Sequence, residues 1–387
     1  MPTTRNTLIR PAAALALALA LGSPARSADD HAAAAGPPPD TIVYEDGGEQ
    51  KSRTDVVVES ADWDAVAYKA GARSASQPGN TVVEVRWGDA PPEYAVGWRA
   101  VAGRDGAAAR DAFNACLAAK AAGVVSRPWI DEYAQIGLGE ACLLLAAAEK
   151  GKTSAAVDAF TAAQKANPKS LMADRILKGL AEAALIAGKP DEARKQSDAL
   201  LSAGRTARRP EWEIDALFLR ADIARQAKNP AEVSQAYEEA ARVAEQQAGA
   251  ARAPAERQRF ERLRRRAAAS AGWVLVDQAL ETKAPADFDR ARDYFQGLPG
   301  KLGQVPEVLS SVENATGVIK LAAGDTFGAL HHFQTTEVLH FGVPDEVARS
   351  LWYQAECWDK LGDTAQRDAR LRDLRKYYPK SEWARRK

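Results

Sequence analysis

The sequence predicts a mainly α chain in which helical hairpins stack into a superhelix, preceded by a small β-domain. Glycine-led turns recur at Gly151, Gly188, Gly324 and Gly362, each after an apolar helical stretch and each opening another. Compact and aromatic residues recur at fixed distances from those turns, and short β-branched runs are confined to residues 41–91.

The first element is an export signal. In MPTTRNTLIRPAAALALALALGSPARSADD, Arg5 and Arg10 precede a short apolar run, residues 12–21, and then Ser23-Pro24-Ala25, a small-x-small cleavage signature. We therefore expect a signal peptide over 1–25 and a flexible Ala/Gly/Pro linker over 26–40. The apolar run is too short to span a bilayer, and no cysteine near the cleavage site offers a lipid attachment point. The expected mature chain is soluble, without a transmembrane anchor, and periplasmic or secreted.

Residues 41–91 follow as a small β-domain. TIVYEDGG, TDVVVES, DAVAYKAG and TVVEVRW are β-branched runs with partial alternation, punctuated by Gly, Asp and Asn, and predict four strands. In the last of them Val83, Val85 and Trp87 are expected on one face, with Glu84 and Arg86 on the other. So short a domain is marginal for its own core and should lean on the first helices or on a partner. Its strand order resembles a small Sm-like or SH3-like barrel. The composition change near Pro91-Pro92 predicts a protease-sensitive junction at residues 88–92.

The helical region, 92–387, is read from its turns. Gly151-Lys152-Thr153 has the ending of a phosphate-binding loop, but the glycine required five residues earlier is Ala146, and the preceding LGEACLLLAAAEK reads as a helix rather than a strand. The same pattern in GKPDEARKQS, GDTFGALHHF and GDTAQRDARL marks it as a helix-to-helix turn. Five residues after these glycines come Ala156, Ala193 and Ala329; nine after come Phe160 and Phe333. A further turn at Lys228-Asn229-Pro230 leads to Val233 and Tyr237. Small residues let two helices approach, and the aromatic fills the gap between them.

This spacing resembles the tetratricopeptide repeat, a helix-turn-helix unit of about 34 residues. Units start near Ile136, Asp174, Ile214, Ser310 and Ala348, with degenerate ones near residue 92 and across 254–300, about seven in all. In the first degenerate unit Gly97 and Phe113 fit, with Cys116 where alanine is usual. In the second Ala291 and Phe295 fit, although the turn ETKAPADFD lacks glycine. The last unit, ending Tyr378-Pro379-Lys380-Ser381, is similar to repeats of bacterial cell-envelope tetratricopeptide proteins, which implies an envelope setting.

That resemblance also implies a binding surface. In the family, the first helix of each repeat lines a concave groove, and its second, fifth, ninth, twelfth and thirteenth positions commonly face the ligand. The units at Asp174, Ile214 and Ala348 then place Arg175, Lys178, Glu182, Phe218, Asp222, Arg225, Trp352, Glu356 and Asp359 in the groove. Aromatics among charges of both signs imply a protein or peptide ligand.

Composition sets the remaining bounds. With 52 basic and 52 acidic residues the chain is not a bulk polyanion binder. Cys116, Cys142 and Cys357 show no zinc-like spacing, and they read as buried thiols, with a Cys116–Cys142 bridge left open. His331, His332 and His340 contain no i,i+4 pair and read as helix-surface or turn residues, so neither a metal nor any other cofactor is expected. The arginine-rich RQRFERLRRRAAAS reads as a solvated helix face, with anionic-polymer or lipid-headgroup binding as its alternative. No nucleophile elbow, His-Glu-x-x-His or dinucleotide turn occurs. The expectation is a non-enzymatic envelope scaffold that binds no nucleic acid. RNA binding through the β-domain and arginine-rich helix, or a cell-wall-acting enzyme, are the competing classes.

Overall fold

The computed structural model describes residues 38–148 and 152–386. The expected signal peptide, the linker up to residue 37 and the turn glycine Gly151 lie outside the described residues.

Five strands open the structure: β1 (Asp40–Asp46), β2 (Glu49–Ala61), β3 (Ala65–Ala70), β4 (Arg73–Pro78) and β5 (Val82–Arg86). They form one antiparallel sheet in the order β4-β3-β2-β1-β5. Gly47 and Gly48 both have positive φ, 63° and 82°, the pair that a two-residue hairpin needs between β1 and β2. A positive φ at Asp55 and a register shift between Val58 and Ser60 bend β2, whose first part pairs with β1 and whose last part pairs with β3.

Two expectations for this sheet need correction. The strand β4, RSASQP, escaped the reading because it has no β-branched or aromatic residue; it is a mostly exposed edge held by pairing to β3. The alternation expected along β5 also fails, since Val82 is buried and Val83 is 52 % exposed. A register shift in the β1–β5 pairing between Val43 and Tyr44 puts an extra residue into β5 there and turns Val83 outward.

Fourteen helices among the described residues form seven hairpins. These are α1 (Pro92–Gly103) with α2 (Gly106–Ala121), α3 (Trp129–Ala148) with α4 (Ser154–Ala166), and α5 (Ala173–Ile186) with α6 (Pro190–Thr206). Then come α7 (Pro210–Gln226) with α8 (Pro230–Ala250), and α9 (Pro254–Thr282) with α10 (Pro285–Leu302). The last are α11 (Pro306–Ala322) with α12 (Thr326–Leu339), and α13 (Pro344–Lys360) with α14 (Thr364–Tyr377). The fold is thus a superhelix of helical hairpins behind a small antiparallel sheet. The helices expected near Ile214, Ser310 and Ala348 begin a turn earlier, on Pro210, Pro306 and Pro344, because proline's fixed φ suits the first helical position. In the turn that lacks glycine, Lys283 takes the left-handed conformation instead, at φ 56°, and Lys228 does so before Asn229.

A ring-and-glycine wedge sets the spacing of the hairpins. Phe113 of α2 presses on Gly97 of α1 and Gly137 of α3, and Phe160 of α4 presses on Gly139 of α3 and Gly179 of α5. A Cβ at Gly137 or Gly179 would stand 2.2 Å from the ring. Phe295 against Gly272 and Phe333 against Gly317 repeat the contact, while Ala156, Ala193 and Ala329 are fully buried at the turns. In α6 the aromatic is replaced by Ser197, whose buried hydroxyl donates to the Ala216 carbonyl at 2.9 Å.

The sheet and the first hairpins share one core. Ile42, Val56, Val66 and Val85 of the sheet pack in the same cluster as Phe113, Cys116, Ile130 and Ala134. Trp87 stacks on Trp129 of α3 with centroids 4.9 Å apart. Fully buried Asp40 ties the junction: its carboxylate accepts from Val58 N (2.8 Å), Gly88 N (2.9 Å) and both Arg127 Nη atoms (2.8 and 2.6 Å). This packing gives residues 88–92 no reason to open independently. Cys116, Cys142 and Cys357 are buried free thiols, and burial pushes Cys116 up to about 11. At the far end, Lys380 Nζ donates to Ala102 O of α1 at 2.5 Å, so the hairpins curl until the tail meets the first helix.

Candidate functional site

Odd-numbered helices neighbour one another along this curl, α1 with α3, α3 with α5, α5 with α7, α9 with α11 and α11 with α13. Helical spacing places Asp174, Lys178 and Glu182 in one stripe on α5, and Asp215, Phe218, Asp222 and Arg225 on the corresponding surface of α7. The charges link from helix to helix. Arg175 Nε lies 2.7 Å from Glu140 Oε1 of α3, with its guanidinium 4.4 Å from the Trp98 ring centre. Lys178 Nζ pairs with Asp215 Oδ2 at 2.9 Å, and Arg225 Nη1 with Asp222 Oδ1 at 2.7 Å. Arg225 also donates to Tyr237 Oη at 2.9 Å. The half-buried Phe218 ring lies between Tyr237 (5.3 Å) and the Arg266 guanidinium (4.6 Å).

Three exposed carboxylates lie on successive odd helices. Glu182, Asp222 and Asp277, on α5, α7 and α9, are exposed to solvent. In each, loss of hydration from surrounding protein is nonetheless the largest influence and raises the carboxyl pKa, against the pull of Lys178 on Glu182 and of Arg225 on the other two. Charges of the tail add to these shifts, Glu382 raising Asp222 and Asp277 further and Arg386 lowering Asp277.

Of the residues expected in the groove, Arg175, Lys178, Glu182, Phe218, Asp222 and Arg225 are brought together on adjoining α5 and α7. Trp352 and Glu356 lie on α13, joined by a 3.2 Å hydrogen bond from the indole N–H, with Arg386 6.0 Å from the Trp352 ring centre. Asp359 turns toward α14, where it pairs with Arg367 at 2.8 Å. Phe218 and Trp352 are half-buried rather than fully exposed. The reading missed Trp98, Glu140, Asp215, Asp277 and Arg349. Arg349 holds the same second position in its unit as Arg175, so the offset that found one would have found the other.

Among the described residues no group of three or more His, Cys, Asp or Glu is placed to hold a metal, and no helix is long and apolar enough to cross a membrane. His332 Nδ1 lies 2.6 Å from Glu313 Oε2. No family model and no curated protein matches the chain. Among solved structures it is similar to apo RapI, at 9 % identity and TM-score 0.45, covering 75 % of this chain and 76 % of that one. It is also similar to a Rap protein solved in complex with competence and sporulation factor, at 11 % identity and TM-score 0.40 over the same shares.

Proposed function

We propose that this chain is a non-enzymatic scaffold, exported to the periplasm or secreted, whose concave face binds an extended or helical segment of a partner protein in envelope organisation or assembly. The observation that carries the reading is the row of solvent-open carboxylates Glu182, Asp222 and Asp277, set among cations and half-buried rings on three odd helices. A segment bearing side chains of both signs finds partners along such a face, and rings beside arginines supply anchor energy at protein interfaces. A uniformly charged polymer would meet its own sign on every helix. The basic, apolar, small order of the N-terminus supports export, and the Tyr378-Pro379-Lys380-Ser381 ending supports an envelope setting. The return of β5 beside β1 after a short 3-10 turn supports the small-barrel reading of the sheet.

Proximity labelling by the full chain in its native envelope supplies the partner. Lys178→Ala, Phe218→Ala and Trp352→Ala should then each weaken binding without loss of helical content, the ring deletions by about 2 kcal/mol. Full-strength capture by a folded triple variant would sink the groove assignment. A recovered chain that still begins ahead of Ala25 would sink the export assignment.

A further inference from the structure

The arginine-rich stretch of α9 forms a second, distinct feature. Arg262, Arg265 and Arg266 line a cleft of about 420 Å³ together with Arg349 of α13, Trp273 and Trp383. Glu346 pairs with Arg349, whereas among the described residues no carboxylate makes an ion pair with any of the three α9 arginines, and Arg262 and Arg266 are exposed. Arg349 is held rigid: its guanidinium lies 3.8 Å from the Trp273 ring centre and 5.3 Å from that of Trp383, and Glu346 accepts from its Nη1 at 2.9 Å. Lys380 borders the same cleft. Buried N–H groups normally find an acceptor, but Arg265 Nε, Trp273 Nε1 and Arg349 Nε, all at this cleft, have none. The exposed, unpaired guanidinium groups of Arg262 and Arg266 beside the fixed Arg349 fit a planar oxyanion that accepts two bonds at once.

We infer that this cleft is a carboxylate-binding subsite that receives an acidic stretch of the partner peptide and so fixes its register in the groove. The inference rests on the groove reading, and Arg266 joins the two sites by packing on Phe218 while lining the cleft. Glu307, Asp345 and Glu382 also border the opening. They would repel a phosphate backbone, whose charges are fixed along the chain, whereas the flexible side chains of an acidic peptide can reach the arginines and turn away from these carboxylates.

The test is fluorescence anisotropy of labelled hexaglutamate, hexalysine and oligouridylate titrated with the full chain. Hexaglutamate should bind, weakening with salt, and hexalysine should not. The exposed pair Arg262→Ala/Arg266→Ala should weaken hexaglutamate roughly tenfold. Arg372→Ala/Arg375→Ala, which removes the same charge from the exposed side of α14, should leave it unchanged. Equal losses from both double variants would reduce the effect to bulk charge and overturn the site. Tighter binding of oligouridylate, or complete displacement of hexaglutamate by millimolar inorganic phosphate, would overturn the peptide assignment. If hexaglutamate fails to bind while partner capture still depends on Lys178 and Phe218, the subsite falls and the groove stands.

Discussion

Glu132, in the first turn of α3, should make the fold less stable as pH rises toward neutrality. Its side chain is 5 % exposed, in a pocket bordered by Trp87, Trp129 and Tyr133. Ser170 Oγ donates to Oε1, and Asn167 Nδ2 donates to Oε2 at 2.9 Å while also reaching Ala61 O of β2. Burial pushes the carboxyl from its ordinary 4.5 up to about 7, and the two hydrogen bonds pull it only partway back. Between those values the folded chain holds a proton that the unfolded chain has released. The contribution is therefore intact below pH 4.5 and lost as pH rises to 7. At about 1.4 kcal/mol per unit the loss is about 3 kcal/mol. Glu132→Gln stays neutral throughout. Its amide satisfies Ser170 but presents an N–H to Asn167, a cost of about 1 kcal/mol that does not change with pH. The variant should be slightly weaker than wild type at pH 4.5 and about 2 kcal/mol more stable at pH 8. Urea unfolding across that range, followed by tryptophan fluorescence, measures the difference, in which the other titrating groups cancel. A difference between the two proteins that does not vary with pH refutes the reasoning.

Gly179→Ala forces a Cβ to within 2.2 Å of Phe160 and should cost about 1–3 kcal/mol despite alanine's better helix propensity, read as a lower denaturation midpoint. Ala156→Leu, at a fully buried turn position, should cost a similar amount, and an unchanged midpoint would contradict the hairpin register. Asp40→Asn leaves the Arg127 guanidinium, 12 % exposed, with only the longer 3.4 Å ion pair to Asp89 and should cost about 3 kcal/mol. Limited proteolysis should leave residues 88–92 of wild type uncut and cleave them in Asp40→Asn; a cut there in wild type would show that the sheet opens independently of the hairpins.

The hairpins were legible because one steric device recurs. A ring on the second helix needs a missing Cβ on the first, and that requirement leaves Gly, Ala and Phe at readable distances, as in Gly97 with Phe113 and Gly317 with Phe333. What was hard to read lay where another residue did the same job. Lys283 and Arg104 supply left-handed geometry without glycine, and the cost is borne by the packing of the helices they join. The strand β4 has no propensity of its own and exists only because β3 offers an edge. The charged stripe on α5 and α7 keeps a regular helical spacing, so that the neighbouring Lys178, Phe218 and Asp222 could be named from the sequence. On α9, a 29-residue helix in a repeat whose turn lacks glycine, there was no anchor from which to count, and Asp277 went unnamed. The arginines beside it read as a solvated face because a sequence records charge but not its partners. The cleft they line is completed by the tail, whose Trp383 packs beside Arg349, a contact between distant segments that no local pattern could have drawn.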